Sequence, residues 1–223
     1  MKKLLTLALA LLMILTMTGC GSSGGSDTPK KEVEFQLGTV EKGVYKNPFL
    51  GIGFKLDESG MHEEPQTTGN YRTEVKPEDL DAKVTNGIME LIAKNYEGNN
   101  LKVNDFNWLM SIEVGKDVDD VYDPTVFMSY KETQRVESTS QTYENIEHKP
   151  ITKTIAGTEL TGFELLFTMK NYIQGGEYHL FLKKGQYCYY VSILSVFYGE
   201  DARTPDQIRE NLDSMIKTCF FGL

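Results

Sequence analysis

Few side chains in this chain are spaced for chemistry. His62 stands beside Glu63 and Glu64, and a histidine with carboxylates is raw material for a metal site or an acid–base pair. No His-Glu-x-x-His spacing accompanies it, so the preferred reading is a solvated loop. His148 falls in a polar stretch and His179 in a strand pattern, and neither forms a ligand pair with another histidine. Asp117, Asp119, Asp120 and Asp123 invite a calcium reading. The loop spacing fails, because Val121 takes a ligand position, Tyr122 replaces the turn glycine and the closing glutamate is missing. Those acids read instead as a loop, with Asp123 as a helix cap. There is no Gly-x-Ser-x-Gly elbow and no phosphate-cradling glycine loop with lysine. No catalytic residue, metal or cofactor is therefore expected. Tyr187, Tyr189, Tyr190, Phe197 and Tyr198 could line a groove, but at strand spacing such rings usually pack across strands.

Cys188 and Cys219 fall on an expected central strand and on the helix expected to cover it. A bridge between them would close a loop of about 30 residues and contribute about 3–4 kcal/mol. The sequence fixes no distance between them, so two buried free thiols behaving as small hydrophobes is the preferred alternative.

The remaining cysteine, Cys20, has the most telling context. Lys2 and Lys3 precede an uncharged, Leu-rich run from Leu4 to Met17, then Thr18, Gly19 and Cys20. The run is shorter than the roughly 20 apolar residues of a membrane-spanning helix and fits the apolar core of a secretory signal. Met17-Thr18-Gly19-Cys20 resembles the lipobox of bacterial lipoproteins, with Met17 where Leu is usual. The resemblance implies a diacylglyceryl group on Cys20 and cleavage after Gly19. Two acyl chains would hold the protein on a bilayer where one binds only marginally. Residues 21–31, rich in Gly and Ser, read as a flexible linker with a reach of roughly 17–20 Å.

The whole chain has 223 residues, with 32 acidic against 23 basic side chains and a net charge of -9. That balance argues against sequence-independent nucleic-acid binding, which needs a basic surface. Loss of Lys2 and Lys3 leaves the remainder more acidic still, so on an anionic membrane the lipid must do the holding. The expected organisation is a signal peptide over 1–19, lipidated Cys20 and linker over 20–32, and one domain over 33–223.

Within that domain, Val44-Tyr45-Lys46 and Ile52-Gly53-Phe54 flank an Asn47-Pro48 turn and predict a hairpin. Gly51 and Gly53 leave room for something to pack close. Val84, Ile88, Leu91 and Ile92 predict a helix over Lys76–Tyr96. Alternation from Phe106 to Val114 predicts a strand. Asp123 and Pro124 can start a second helix, with Phe127 and Tyr130 pointing inward. Residues 137–149 read as a surface loop or helix end. Strands over Leu160–Tyr172, Tyr178–Lys183 and Tyr187–Tyr198 predict an antiparallel meander, with turns at Gln174-Gly175-Gly176-Glu177 and Lys184-Gly185. The last strand is apolar on both faces and should be central. Thr204, Pro205 and Gln207 spell a capping box, ahead of a stripe of Ile208, Leu212, Met215, Ile216 and Cys219.

The fold class expected is α+β, a mostly antiparallel sheet with packed helices. The order of elements resembles extracytoplasmic lipoproteins of Gram-positive bacteria whose body has a PsbP-like fold. The carrying motifs are Tyr45…Gly51-Ile52-Gly53-Phe54 and Ile155-Ala156-Gly157, across roughly Gly43 to Phe220. The resemblance implies an α/β sandwich used for binding or assembly rather than catalysis. The function expected is a lipid-anchored, non-enzymatic module on the outer face of the cytoplasmic membrane, in contact with that membrane through Cys20. The alternative is a surface hydrolase or small-ligand enzyme built on an acid–base pair such as His62 with Glu63.

Overall fold

The structure is a computed structural model and describes residues 33–66, 69–117, 123–169 and 173–223. Cys20, the signal segment, the linker, Asp119 and Asp120 lie outside the described residues. The architecture is α+β. Strands β1 (Thr39–Glu41), β2 (Val44–Asn47), β3 (Ile52–Lys55) and β11 (Phe220–Gly222) form a four-stranded sheet in that spatial order. A seven-stranded sheet has the order β4 (His62–Glu63), β5 (Ile88–Lys94), β6 (Asp105–Lys116), β10 (Tyr187–Tyr198), β9 (Ile173–Lys184), β8 (Thr158–Met169) and β7 (Glu144–Ile155). Neighbouring strands in both sheets are antiparallel. Four α-helices accompany them among the described residues: α1 (Leu56–Ser59), α2 (Leu80–Thr85), α3 (Pro124–Thr142) and α4 (Pro205–Cys219).

The large sheet is covered on both faces. Its inner face meets the small sheet and α4, and there the main core forms from Tyr45, Phe54, Ile88, Ile112, Tyr189, Ile193, Leu212 and their neighbours. Its outer face meets α3 over a smaller cluster of Phe127, Phe163, Leu165, Phe181, Cys188 and Tyr190. β10 is the middle strand of seven and sends Tyr189, Val191 and Ile193 inward and Cys188 and Tyr190 outward. This is the central strand, apolar on both faces, that the alternation predicts.

Both helix caps are as the sequence predicts. Asp123 accepts hydrogen bonds from the Thr125 and Val126 N–H groups at 2.9 and 3.4 Å. Thr204 and Gln207 form the reciprocal capping box, and Ile208, Leu212, Met215, Ile216 and Cys219 are the buried stripe of α4. Gly53 packs against a ring as well, since a Cβ there would lie 2.3 Å from Cζ of Phe221. The space beside Gly51 stays open.

Four local expectations are corrected. The helix over Lys76–Tyr96 is instead a 3-10 turn (Pro77–Asp79), the short α2, and strand β5. Gly87, at φ 83°, ends the helical stretch. Ile88 and Leu91 both face the core because the register shifts between Met89 and Leu91. A bulge inserts one residue, so a strand shows a three-residue apolar spacing that mimics a helix. Gln174–Glu177 is not a turn but the start of β9. Its glycines are there for close approach: a Cβ on Gly176 would lie 2.7 Å from both Ile208 of α4 and Leu166 of β8. Residues 144–149 are strand rather than loop, because β7 is the polar, exposed edge of the large sheet, where charge and Pro150 discourage pairing with another chain. Tyr130 is 58% exposed, while Phe127 alone of the two points inward.

Candidate functional site

Two buried polar constellations lie on opposite faces of the large sheet. On the inner face the bulge in β5 turns Glu90 into the core, where it is fully buried with Tyr45, Asn47 and Tyr189. The Tyr45 hydroxyl donates to the Glu90 carboxylate. The Asn47 amide donates to it at 2.9 Å and the Gly38 N–H at 3.0 Å. Asn47 Oδ1 in turn accepts from the Leu50 N–H at 2.8 Å, which fixes the β2–β3 turn. Burial pushes the Glu90 carboxyl above its ordinary range, against the donors from Tyr45, Gly38 and Asn47 that favour the anion. Burial and the neighbouring Glu90 push the Tyr45 phenol up as well. With its hydrogen bonds internal, this carboxyl ties the segment ahead of β1 and the small sheet to the large one.

On the outer face, Glu177 and His179 sit two residues apart on β9 and so share a face. His179 Nε2 lies 2.6 Å from Glu177 Oε2, and Nδ1 lies 2.5 Å from the Tyr190 hydroxyl. Arg135 of α3 grips Glu177 through both Nε, at 2.6 Å, and Nη2. The imidazole stacks on Phe163 at 4.5 Å. Burial raises the Glu177 carboxyl, but Arg135 and His179 outweigh it and hold it down at about 2. Burial, then the Glu177 charge, pushes the Tyr190 phenol up. A histidine between a carboxylate and a hydroxyl has the connectivity of a proton relay. His179 is only 2% exposed, so no substrate reaches it in this state.

The sequence-derived candidates fare differently. His62 lies on the edge strand β4 rather than a loop, 3.7 Å from Glu64 and 3.9 Å from Glu97. Glu63 turns elsewhere, accepting from the Tyr71 hydroxyl at 2.7 Å and from Arg72. His62 and Glu63 thus do not form a pair, because adjacent strand residues point to opposite faces. His148 pairs with Glu132 at 3.0 Å. Asp117 pairs with Lys183 and Asp123 caps α3. Cys188 and Cys219 are free thiols in separate clusters on opposite faces of the large sheet. Burial, then Asp117, pushes the Cys188 thiol up to about 12. Tyr189, Tyr190 and Phe197 are core, and Tyr187 stacks on Phe35 at 3.7 Å.

Glu90 and the Glu177–His179–Arg135 set escape the sequence reading. Glu90 would stand beside the stripe of a helix that does not form. Glu177 and His179 are at strand spacing, a legible signal hidden by reading Glu177 as a turn residue. Open depressions of about 440, 350 and 460 Å³ lie on the surface beside Lys153 and Asp213, Lys46 and Phe221, and His148 and Arg209, and neither constellation lines any of these. No group of three or more metal-ligating side chains and no helix long and apolar enough to cross a membrane occurs among the described residues.

No family model matches the chain, and no curated protein does. Among solved structures it is similar to cyanobacterial PsbP (CyanoP) from Synechocystis sp. PCC 6803, with 12% identity and a TM-score of 0.40 over 91% of this chain and 98% of that one. The similarity is too loose to carry function across.

Proposed function

We propose that this protein is a lipid-anchored, extracytoplasmic, non-enzymatic module that binds or assembles with a partner at the outer face of a bacterial cytoplasmic membrane. The observation that carries the reading is Met17-Thr18-Gly19-Cys20, set between an uncharged Leu-rich run and a Gly/Ser tract. In support, one compact unit spans Glu34–Leu223 and so begins after that tract in the sequence. A tether of this composition lets a folded body reorient just off the bilayer.

The test is expression of the full chain in a Gram-positive host. Mass spectrometry is expected to find a diacylglyceryl group on Cys20 as the new first residue, with the protein in the membrane fraction. Cys20→Ala is expected to move it out of that fraction. An unmodified Cys20 thiol, or wild-type protein washed off without detergent, would overturn the reading. The alternative, an acid–base enzyme, has one observation in its favour: the 2.6 Å contact between His179 and Glu177. That reading requires a route to a buried pair.

A further inference from the structure

We propose that α3 is a charge-latched cover, which lifts from the outer face of the large sheet while the rest of the domain stays folded and opens the His179–Glu177–Tyr190 constellation to solvent. The proposal concerns the folded body alone and does not depend on the lipid anchor.

The first reason is the underside of the helix. Phe127, Lys131, Arg135 and Thr139 follow one another at four-residue spacing and so face the sheet together. Phe127 is the one large apolar side chain of α3 that is buried among its described residues, and Thr139 is buried with its hydroxyl unpartnered among them. Met128 and Val136 add half-buried apolar contacts to that cluster, and the rest of the underside is polar: Lys131 with Glu113 at 3.1 Å, Arg135 with Glu177, and Glu132 with His148 at 3.0 Å. Lys131, Arg135 and Glu132 each keep roughly a fifth to a third of their side chain in water, at 22%, 36% and 32%. The Glu132–His148 contact is open to water at both ends and parts at small net cost, whereas Arg135–Glu177 and Lys131–Glu113, whose acids are 1% and 17% exposed, cost more to part and are the latch itself.

The second reason is what α3 covers. Its cluster is separate from the main core, so parting it leaves the inner face intact, as sub-global opening requires. Glu177 is 1% exposed beneath it but keeps His179 as a partner when Arg135 departs. Phe163, His179 and Tyr190 stand as near-parallel rings, at 4.5 and 5.8 Å between neighbours. Opening therefore uncovers an aromatic row with a relay-type histidine within it. That is the route which an acid–base pair in this fold otherwise lacks.

The protein carries its own probes. Cys188 belongs to the cluster that Phe127 of α3 closes and Cys219 to the buried stripe of α4 itself, both buried and free. In native full-length protein treated with iodoacetamide and read by peptide mass spectrometry, Cys188 is expected to alkylate at least tenfold faster than Cys219. The amides of residues 127–142 are expected to exchange with deuterium faster than those of 208–219. Arg135→Met is expected to raise the Cys188 rate about tenfold further and leave Cys219 unchanged. Equal rates at the two cysteines, equal acceleration of both, or equal protection of the two helices would mean that α3 opens only when the whole domain unfolds, and would overturn the proposal. If Arg135→Met does not fold, the wild-type cysteine ratio and the wild-type amide exchange decide.

Discussion

α3 and α4 lie on opposite faces of one sheet, both begin with a good cap and a proline, and they are held by different forces. α4 buries Ile208, Leu212, Met215, Ile216 and Cys219 and is drawn close by glycine in the strand beneath it. α3 sets Lys131 and Arg135 against acids on the sheet and buries one large apolar side chain among those described. Helix propensity and capping decide that each segment is helical. The chemistry of the underside decides how firmly each is docked. A well-formed helix is therefore no measure of a fixed one.

The largest effect that would break this contrast comes from the undersides themselves. Leu212→Ala is expected to cost about 2–5 kcal/mol in urea denaturation, as a fully buried leucine does. Val136→Ala, a half-buried position on α3, is expected to cost on the order of 1 kcal/mol or less. Equal losses would mean that the two helices are docked alike.

A second test sets the carboxyls of the two faces against each other through pH. Glu90 has its folded value raised, so the stability it lends is fully present below the unfolded carboxylate value of about 4.3 and is lost as pH rises through the folded value. Glu177 is held at about 2, so its contribution is present above the unfolded value and is lost as pH falls toward about 2. Glu90→Gln is therefore expected to change the melting temperature more favourably at pH 8 than at pH 4, read by calorimetry across a pH series. A variant-minus-wild-type difference that stays constant across that series would remove the buried-acid reading of Glu90.

The smallest expected effect sharpens the comparison. Thr204→Ala and Asp123→Ala are each expected to cost about 1 kcal/mol, since each removes one N-cap. Similar losses at the two caps beside unequal losses at the undersides would locate the difference in docking, not in helix formation.

The features legible in the sequence are those fixed by neighbours along the chain. Alternation in 106–114 and 187–198 marks β6 and β10, and the apolar character of both faces of β10 places it at the centre of the sheet. Thr204-Pro205-x-Gln207 marks the start of α4, and its five-residue stripe is the buried one. Where local pattern and long-range packing disagree, the reading fails. The bulge at Met89–Leu91 imitates a helical period. Gly175-Gly176 looks like a turn because its true partners lie outside the local window, Leu166 ten residues back and Ile208 some thirty residues on from Gly176.

By itself the sequence determined the α+β class, the central strand, both helix caps and the expectation of a lipid-bearing Cys20, because each rests on residues within a few positions of one another. Only the tertiary structure decided that Glu90 would be a core acid, that His62 and Glu63 would part, and that Arg135 would meet Glu177 and His179. The physical reason is that a charge's environment is set by what the fold brings against it, and here those partners come from α3, β2 and the segment ahead of β1, far off along the chain.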